Sequence, residues 1–381
     1  MCGITGFYTR NNPDFVSREE LDQMTACLVH RGPDAKGSFY TELVGLGHQR
    51  LSILDLSNDA NQPMESHSMR YICVYNGEVY NFREIAKDLN IELKTSCDTE
   101  VIVEAFAEWG VTFINKLNGM FSICIYDKQE QTLYLFRDRI GIKPMFYYWD
   151  GNNFAFSSEL KSLLNISYIR ERRQLNNSAI NEFLHLGYIP EPDTIYSNIR
   201  KFPNGQTGIV SENGFRMESY WDIEGTIRRN VITDISEAKE RLNTLITSSV
   251  SMRLVSDVPF GTFLSGGIDS SLVTAVAARQ HNQKLNTFSI GFADSKHDES
   301  KYAAKVAEYL GTNHHEYIVT ENDARDIIVD MLDFYDEPYA DSSAIPTMML
   351  SKLAKQTVSM VLSGDGGDEL FHGYGAYRWA K

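Results

Sequence analysis

The sequence predicts two domains, a β-rich α+β domain at the N-terminus and an α/β domain with a parallel sheet after it. The chain has 381 residues, which is more than one ordinary compact core contains. Residues 1 to about 165 carry paired apolar runs around polar turns, which are typical of antiparallel hairpins. Beyond residue 235, strand-like and helix-like segments alternate, and this order indicates a parallel sheet.

Composition and charge exclude several classes of protein. Hydrophobic residues make up 43% of the chain and charged residues 23%, which is a globular composition. The net charge of -15, from 51 acidic and 36 basic residues, disfavours a general nucleic-acid surface. No apolar stretch has the length that a bilayer requires, and the N-terminus lacks the pattern of a secretory signal. We therefore expect no nucleic acid and no membrane among the partners.

The cysteines indicate a reducing compartment. Five cysteines, at positions 2, 27, 73, 97 and 124, give an odd count with irregular spacing and no zinc-finger pattern. A disulfide-stapled secreted domain is therefore disfavoured, and the expected location is the cytoplasm.

The N-terminal half contains three predicted hairpins and one clear helix. The helix is expected over Thr99–Trp109, with Gly110 as its stop signal. The stretch Gly187–Trp221 is rich in Pro, Gly and Asn, and we interpret it as a domain tail plus a linker with one short strand at Gly208–Val210. The predicted hairpins pair residues 72–75 with 79–80 around an Asn76-Gly77 turn, residues 121–126 with 132–136, and residues 146–148 with 154–156.

The C-terminal half begins with helical spacing from Ile235 to Leu254. A strand at Phe260–Leu264, a loop, a helix at Ser270–Arg279 and a strand at Thr287–Ile290 follow in that order. This is the order of elements in a βαβ unit.

The position of Cys2 makes it a candidate nucleophile. Removal of Met1 would give the cysteine a free α-amine, whose pKa of roughly 7.7–8.0 is close to cellular pH. That amine can accept the thiol proton, so the cysteine can attack a carbonyl without a histidine. Taken alone, Cys2 is better explained as a residue without a chemical role at a frayed chain terminus.

Five motifs change that interpretation because they occur together and in order. They are Cys2–Phe7, His30–Asp34, Gly47–Ile53, Tyr75–Asn81 and Asp98–Glu100. This series resembles the type 2 glutamine amidotransferase domain, which is an N-terminal-nucleophile αββα sandwich. The resemblance covers essentially the whole first half of the chain.

The resemblance implies a catalytic site around the N-terminal cysteine. Cys2 is then the nucleophile, and the Asn76 side chain and the Gly77 backbone N–H form the oxyanion hole. Two donors aimed at a developing oxyanion commonly supply the largest catalytic contribution. By itself, Asn76-Gly77 is more often a plain hairpin turn.

The resemblance also implies how glutamine is bound. Arg50 pairs with the α-carboxylate of glutamine, and arginine suits such two-pronged capture. Asp98 pairs with the α-ammonium, and Glu78 helps to hold it. Alone, Arg50 is more often a surface cation and Asp98 a helix N-cap. Cys97 stands where the family more often has serine, which places a second thiol near the substrate.

A glycine-rich loop follows the apolar strand at Phe260–Leu264. In Ser265–Ser271, glycines allow backbone N–H groups to approach phosphate oxygens, and the following helix offers its positive N-terminus. No Gly-Lys-Ser/Thr ending is present, so this is not a Walker A loop. The seven residues resemble the pyrophosphatase loop of enzymes that split ATP between the α and β phosphates.

A second glycine-rich loop, Ser363–Phe371, follows the apolar run Val358–Leu362 and is acidic. A solvated loop is the plain alternative. An acidic loop at the carboxyl edge of a sheet, beside a phosphate loop, is better explained as a magnesium and ligand site.

With both loops included, the whole chain resembles the family of glutamine-hydrolysing asparagine synthetases. The expected domains are a glutaminase domain at 2–215 and an ATP-binding synthetase domain at 235–381. Further matching residues are Asp298-Glu299, Gly311–Glu316, Asp336–Pro338 and Asp341. The implied cofactors are ATP, as a substrate, and Mg²⁺. The implied roles are pyrophosphate binding by Ser265, Gly266, Gly267, Ser270 and Ser271, Mg²⁺ binding by Asp269 and Asp368, adenine contact by Leu264 and Ile290, nucleotide contact by Ser363 and Gly364, and a role in the synthetase reaction for Asp365.

Three further features bear on the C-terminal half. His314-His315 lacks other histidines at ligand spacing, so a structural role is expected for the pair. His372 stands where the family usually has glycine, which alters one wall of the acceptor pocket. The family's synthetase domain continues well beyond Lys381, so we expect the sequence to be a fragment of a longer protein.

Three functions remain open from the sequence. The first is ATP-dependent formation of asparagine from aspartate with ammonia from glutamine. The second keeps this machinery but amidates another carboxylate, such as a sugar uronic acid of a surface polysaccharide. The third is a non-catalytic relative that binds glutamine or a nucleotide for regulation. A homodimer is kept open as the assembly. A β-lactam-forming relative is disfavoured, since those lack the terminal cysteine.

Overall fold

The computed structural model describes residues 1–229, 231–281, 283–292 and 298–378. The chain forms two compact units, each of which has its own core. Unit 1 comprises Met1–Val231 together with the short segment Tyr335–Ala340, and unit 2 comprises Ile232–Phe334 and Asp341–Lys381. Within the described ranges, no helix is both long and apolar enough to cross a membrane.

Unit 1 is built on two six-stranded antiparallel sheets. Its strands are β1 (Gly3–Thr9), β2 (Ala35–Tyr40), β3 (Val44–Arg50), β4 (Met64–Glu65), β5 (Tyr71–Val79), β6 (Gly119–Asp127), β7 (Thr132–Arg137), β8 (Phe146–Trp149), β9 (Asn153–Ser157), β10 (Ile199–Lys201), β11 (Gln206–Ser211) and β12 (Gly214–Ser219). The first sheet has the order β10-β8-β9-β1-β3-β2, and the second has the order β12-β11-β7-β6-β5-β4.

In the described part of unit 1, six helices lie between these strands in the sequence, and a seventh, α7, follows β12. The first is stabilised by a capping box, in which the Ser17 side chain accepts from the Glu20 N–H while the Glu20 carboxylate accepts from the Ser17 N–H. The helices are α1 (Arg18–Ala26), α2 (Phe82–Leu89), α3 (Asp98–Trp109), α4 (Leu160–Leu163), α5 (Ser167–Arg172), α6 (Asn177–Leu186) and α7 (Ile223–Arg229), with 3₁₀ turns at Asn58–Ala60 and Gly110–Lys116.

Three apolar clusters arrange unit 1 in four layers. Ile4 of β1 and Val74 of β5 belong to the cluster between the two sheets. On the outer face of the second sheet, Phe106 of α3 packs with Phe113 in a second cluster. On the outer face of the first sheet, Met24 of α1 belongs to a third cluster. The expected αββα sandwich is therefore confirmed.

The prediction of a hairpin turn at Asn76-Gly77 is wrong. Strand β5 runs straight through these two residues, and Gly77 lies opposite Phe121 of β6. A Cβ atom at position 77 would lie only 2.2 Å from the backbone oxygen of Met120. The glycine therefore permits a close approach of two strands, which is another recognised use of glycine within a sheet.

The stretch Gly187–Trp221 is more ordered than the expected tail and linker. One strand was expected at Gly208–Val210, but the stretch contributes three strands, β10, β11 and β12. Strand β10 pairs with β8 of the first sheet, and β11 pairs with β7 of the second. The expected helix at Thr99–Trp109 and the two later hairpins are confirmed.

Unit 2 contains a four-stranded parallel sheet, as the alternation of elements predicts. The strand order is β15-β14-β13-β16, so β13 and β16 are neighbours and their carboxyl ends meet at one edge. The strands are β13 (Phe260–Phe263), β14 (Asn286–Phe292), β15 (Asn313–Val319) and β16 (Met360–Leu362). The helices are α8 (Ile235–Arg253), α9 (Ile268–Gln280), α10 (Ser300–Leu310), α11 (Glu321–Phe334), α12 (Ala344–Ala354) and α13 (Gly367–Phe371), followed by a 3₁₀ turn at Gly375–Arg378.

The aromatic cluster beneath α3 gives a stability prediction for unit 1. Phe113 is fully buried, and its ring contacts those of Phe106 and Phe136 edge-on. We expect Phe113→Ala to lower the free energy of unfolding by about 3–5 kcal/mol, because a cavity is left in the core. Urea unfolding measures this, with Leu184→Ala, at a side chain 74% exposed, as the control. Equal stability of the two variants would contradict the assignment of this core.

Candidate active sites

Cys2 lies at the start of β1, next to the end of β3. The Leu51 N–H is 3.4 Å from the Cys2 Sγ, and the Arg31 Nε donates to the Cys2 carbonyl oxygen over 3.0 Å. Burial raises the pKa of the Cys2 thiol, and this outweighs the hydrogen bond with Leu51, which lowers it. The thiol therefore needs a nearby base before it can act as a nucleophile.

The environment of the N-terminus disfavours positive charge. Burial, together with the positive charges of Lys143 and Arg31, lowers the pKa of the Met1 α-amine to about 5. Burial also lowers the pKa of Lys143 to about 8, and its Nζ lies 2.9 Å from the Met1 Sδ. Near neutral pH, the Met1 α-amine is therefore mostly in its neutral form, whereas the Lys143 amine keeps most of its charge.

Asn76 presents a buried amide with no partner. It is 1% exposed, and neither its Oδ1 nor its Nδ2 has a hydrogen-bond partner among the residues that the structure describes. A buried polar group without a partner costs free energy, so its presence calls for an explanation. A substrate oxygen that accepts from Nδ2 would provide one. Gly77 follows at the point where β5 comes closest to β6.

Asp98 is the first residue of α3, while Cys97 takes the N-cap position. Its Oδ2 accepts from the Tyr75 hydroxyl at 2.8 Å and from the Val79 N–H at 3.0 Å. Burial raises the pKa of Asp98, although these hydrogen bonds lower it in part. A ligand ammonium at this position would offset the cost of burying the charge.

Arg50 ends β3 and orders the loop of residues 54–61. Its Nη1 donates to the Ser57 carbonyl at 2.7 Å and to the Asn61 Oδ1 at 2.8 Å. Its Nη2 donates to the carbonyl oxygens of Leu54 and Asp55. The guanidinium is thus held in place, and two-pronged capture of a carboxylate requires some of these contacts to be exchanged.

The predicted residues share one environment around the cysteine. The charge of Asp98 raises the pKa of the Cys2 thiol, and the charge of Arg50 lowers it. The charge of Glu78 raises the pKa of the Met1 α-amine. Cys2, Arg50 and Asp98 therefore lie in one electrostatic environment, although they come from the N-terminus, β3 and α3.

Three residues near Cys2 were not assigned a role from the sequence. Arg31 belongs to the motif His30–Asp34, so the sequence already marks it as a candidate, and the structure adds its hydrogen bond to the Cys2 carbonyl. Tyr75 likewise begins the motif Tyr75–Asn81, whereas Lys143 carries no signal beyond its type, since only the folded chain brings it to the site.

In unit 2, the segment Ser265–Ser271 runs from the loop after β13 into the first turn of α9. The Ser265 Oγ lies 2.9 Å from the Ser270 Oγ and accepts from the Gly267 N–H at 3.2 Å. Gly266 has φ +82, and a Cβ there would lie 2.6 Å from the Tyr302 Cβ. The buried Ser271 Oγ has no partner in the described part of the chain. A phosphate oxygen is a suitable acceptor for this hydroxyl.

The two glycine-rich loops pack against each other. A Cβ at Gly364 would lie 2.8 Å from the Ser270 N, and one at Gly367 would lie 2.4 Å from the Asp269 Oδ2. Only residues without a side chain allow this contact. The acidic loop after β16 is therefore adjacent to the phosphate-type loop, as the strand order predicts.

The acidic side chains of these loops fit a magnesium–nucleotide site. Asp269 and Asp368 lie in the first turns of α9 and α13, directly after the two adjoining loops, and Mg²⁺ typically uses one or two carboxylates together with phosphate oxygens. Asp365 accepts from the Ser363 Oγ at 2.8 Å. Across the described residues, no cluster of three or more His, Cys, Asp or Glu forms an all-protein metal site.

The apolar residues expected near adenine are largely covered by protein. The Leu264 side chain is 1% exposed and packs against Ala303 and Ala307. Ile290 is partly buried and packs in another cluster. The His314 ring nitrogens contact hydroxyl groups of β14, which agrees with a structural role.

Family models match both units. A model of the glutamine amidotransferase domain matches residues 1–221, and a model of asparagine synthase matches residues 241–381. Together with the αββα sandwich and the Cys2 site, these matches define the first unit as a glutamine amidotransferase domain.

Curated relatives give the particular family. A putative glutamine-hydrolysing asparagine synthetase 2 of Methanocaldococcus jannaschii is 40% identical over 98% of this chain and 76% of its own length. Asparagine synthetase 1 of Bacillus subtilis is 34% identical over 99% of this chain, which spans 60% of that relative. The chain belongs to the family of glutamine-hydrolysing asparagine synthetases.

A solved structure is also similar. Glutamine phosphoribosylpyrophosphate amidotransferase of B. subtilis has a TM-score of 0.44 and 13% identity, over 83% of this chain and 81% of that chain.

The unpartnered amide gives a prediction that separates function from stability. We expect Asn76→Ala to change the free energy of unfolding by less than about 1 kcal/mol, because no hydrogen bond is lost. Glutamine hydrolysis should fall by about 10²–10³-fold if the amide stabilises an oxyanion. Ammonia release and urea unfolding measure the two effects.

Asn153 is the matched control for Asn76. It is also buried, but its side chain bonds to Thr9 and Asp150. Asn153→Ala should cost about 1–3 kcal/mol of stability and leave the chemistry of the folded protein intact. A larger stability loss at Asn76 than at Asn153 would rule out the proposed free amide.

Proposed function

We propose that unit 1 hydrolyses glutamine to glutamate and ammonia, and that unit 2 uses ATP to activate a carboxylate that the ammonia converts to an amide. The acceptor we propose is aspartate, which gives asparagine, AMP and pyrophosphate. The observation that carries the proposal is the buried Asn76 amide, which has no partner among the described residues. It follows Tyr75 on β5, whose hydroxyl donates to Asp98, and the charge of Asp98 acts in turn on the Cys2 thiol. Family membership supports both halves of the reaction.

Cys2 supplies the nucleophile after removal of Met1. Its own α-amine then accepts the thiol proton, as the ordinary pKa of a free α-amine, roughly 7.7–8.0, allows. The thiolate attacks the side-chain carbonyl of glutamine. The developing oxyanion receives hydrogen bonds from the Asn76 Nδ2 and the Gly77 N–H. Ammonia leaves as a thioester forms, and water then releases glutamate and restores the thiol.

Charged residues around Cys2 hold the amino-acid end of glutamine. Arg50 takes the α-carboxylate, while Asp98 and Glu78 take the α-ammonium. Asp98 is already fixed by Tyr75 and Val79, so its carboxylate is preoriented. A glutamine analogue without its α-ammonium would leave this buried carboxylate unpaired.

In unit 2, the loop after β13 holds the pyrophosphate part of ATP. The N–H groups of Gly266 and Gly267 and the hydroxyls of Ser265, Ser270 and Ser271 are the donors. Asp269 and Asp368 would hold Mg²⁺, which when bound neutralises part of the phosphate charge.

The acceptor and adenine are bound by residues next to the phosphate loop. The backbone near Leu264 and Ile290 faces the adenine, with Ser363 and Gly364 beside the nucleotide. Asp365, between β16 and α13, takes part in the synthetase reaction, a role that follows from the family resemblance. All five cysteines are free, which supports a reducing compartment such as the cytoplasm.

Replacement of the nucleophile tests the proposed function. Cys2→Ala should abolish ammonia release from glutamine, because no other residue has been placed to form the thioester. ATP binding, measured by calorimetry, should be unchanged. Cys27→Ala is the matched control, since Cys27 is a half-buried thiol that donates to the Met24 carbonyl and has no α-amine of its own to act as a base. Ammonia release that survives in Cys2→Ala would overturn the assignment.

A glycine in the phosphate loop gives the corresponding test for unit 2. We expect Gly266→Ala to weaken ATP binding at least about tenfold, because the new Cβ would displace the loop from Tyr302. Gly311→Ala is the control, since this glycine also has positive φ, at +69, but has open space around it. Calorimetry with Mg²⁺-ATP measures both variants. Equal affinity of the two would remove the loop from the nucleotide site.

A further inference from the structure

The short segment Tyr335–Ala340 belongs to unit 1, although the elements on both sides of it belong to unit 2. It follows the end of α11 and precedes α12. The Ala340 N–H donates to the Gly187 carbonyl over 2.9 Å. The chain therefore enters unit 1 a second time for only six residues, and two of these are adjacent acidic residues.

Glu337 attaches the segment to the region around β10. Its Oε1 accepts from the Ile195 N–H at 2.8 Å, and its Oε2 lies 2.9 Å from the Lys201 Nζ. These contacts anchor the segment, but they do not reach the residues around Cys2.

Asp336 attaches the segment to the start of α4. Its Oδ2 accepts from the Leu160 N–H, and its Oδ1 lies 3.8 Å from the Lys161 Nζ. Its side chain is only 9% exposed. Burial raises the pKa of Asp336 to about 6, and the negative charge of Glu159 adds to this effect.

Glu159 connects Lys161 to the cysteine site. Its Oε2 lies 3.0 Å from the Lys161 Nζ, and its Oε1 lies 2.9 Å from the Arg31 Nη1 and 2.8 Å from the His30 Nε2. Burial alone would raise the pKa of Glu159, but hydrogen bonds from His30 and Arg31 lower it to about 2. The carboxylate is therefore charged at every physiological pH.

Arg31 completes the path. While its Nη1 is paired with Glu159, its Nε donates to the Cys2 carbonyl at 3.0 Å. A continuous series of polar contacts thus runs from Asp336 through Lys161, Glu159 and Arg31 to the backbone of Cys2.

We propose that Asp336 is a positioning residue for Cys2, acting through Lys161, Glu159 and Arg31. The inference rests on the proposed glutaminase function of unit 1. Asp336 holds the Leu160 N–H and shares Lys161 with Glu159, so it fixes the carboxylate that orients the Arg31 guanidinium. Arg31 in turn fixes the backbone that carries the nucleophilic thiol. Without Asp336, a buried N–H loses its acceptor and Glu159 moves with Lys161.

Asp336→Ala and Glu337→Ala form a matched pair for the test. Both remove one carboxylate of the same segment, but only Asp336 is connected to Cys2. We expect Asp336→Ala to lower kcat for ammonia release by about tenfold, since small displacements of reacting groups are costly. The KM for glutamine should change less than twofold, because Arg50 and Asp98 are not disturbed. Glu337→Ala should change neither constant.

A second readout does not require turnover. Iodoacetamide alkylates accessible thiols, and peptide mass spectrometry gives the rate at Cys2 with Cys27 as an internal reference. The rate at Cys2 should differ from that of the unaltered chain in Asp336→Ala but not in Glu337→Ala. In a Glu159→Gln background, Asp336→Ala should have little further effect on either readout, since the path is already broken.

Several outcomes would overturn the inference. Equal losses in the two alanine variants would show that the segment acts only through its packing. Independent, multiplicative effects of Glu159→Gln and Asp336→Ala would show that no path joins them. If Asp336→Ala does not fold, Asp336→Asn against Glu337→Gln makes the same comparison. An unaltered chain that releases no ammonia would contradict the proposed function, while the alkylation rates would still decide the positioning role.

Discussion

Exclusion of water from the residues around Cys2 is the constraint on which the chemistry of unit 1 depends. Burial raises the pKa of the Cys2 thiol and of Asp98, and it lowers the pKa values of the Met1 α-amine, of Lys143 and, to about 3, of His48. Each shift disfavours the charged form, so a charge in this region is stable only beside a partner. A substrate with both an ammonium and a carboxylate supplies such partners. The same constraint supports a neutral amine as the proton acceptor.

Local sequence patterns predicted most elements, but one strong local signal was misleading. Asn-Gly is a common hairpin turn, yet Asn76 and Gly77 lie within β5, where they face Ser122 and Phe121. Residues far along the chain supply the partner strand, and their hydrogen bonds outweigh the local preference. Gly77 is needed there for the close approach of β6, a reason that only the tertiary structure reveals.

The two candidate sites differed in how much the sequence revealed. The phosphate loop is contiguous, so Ser265–Ser271 and its position between a strand and a helix could be identified from one stretch. The cysteine site is assembled from separate elements, and only the recognised motifs predicted its members. Lys143 and Glu159 have no local signature, because their function comes from neighbours that the fold brings to them.

The second entry of the chain into unit 1 has a consequence for how the protein is made. A ribosome completes residues 1–231 well before it reaches Tyr335–Ala340, by roughly 5 to 20 seconds at ordinary synthesis rates. During that interval the Leu160 and Ile195 N–H groups and Lys201 remain without the acidic partners that they have in the finished unit. The contacts of Tyr335–Ala340 are therefore the last of unit 1 to form, because α8 to α11 of unit 2 are synthesised before them.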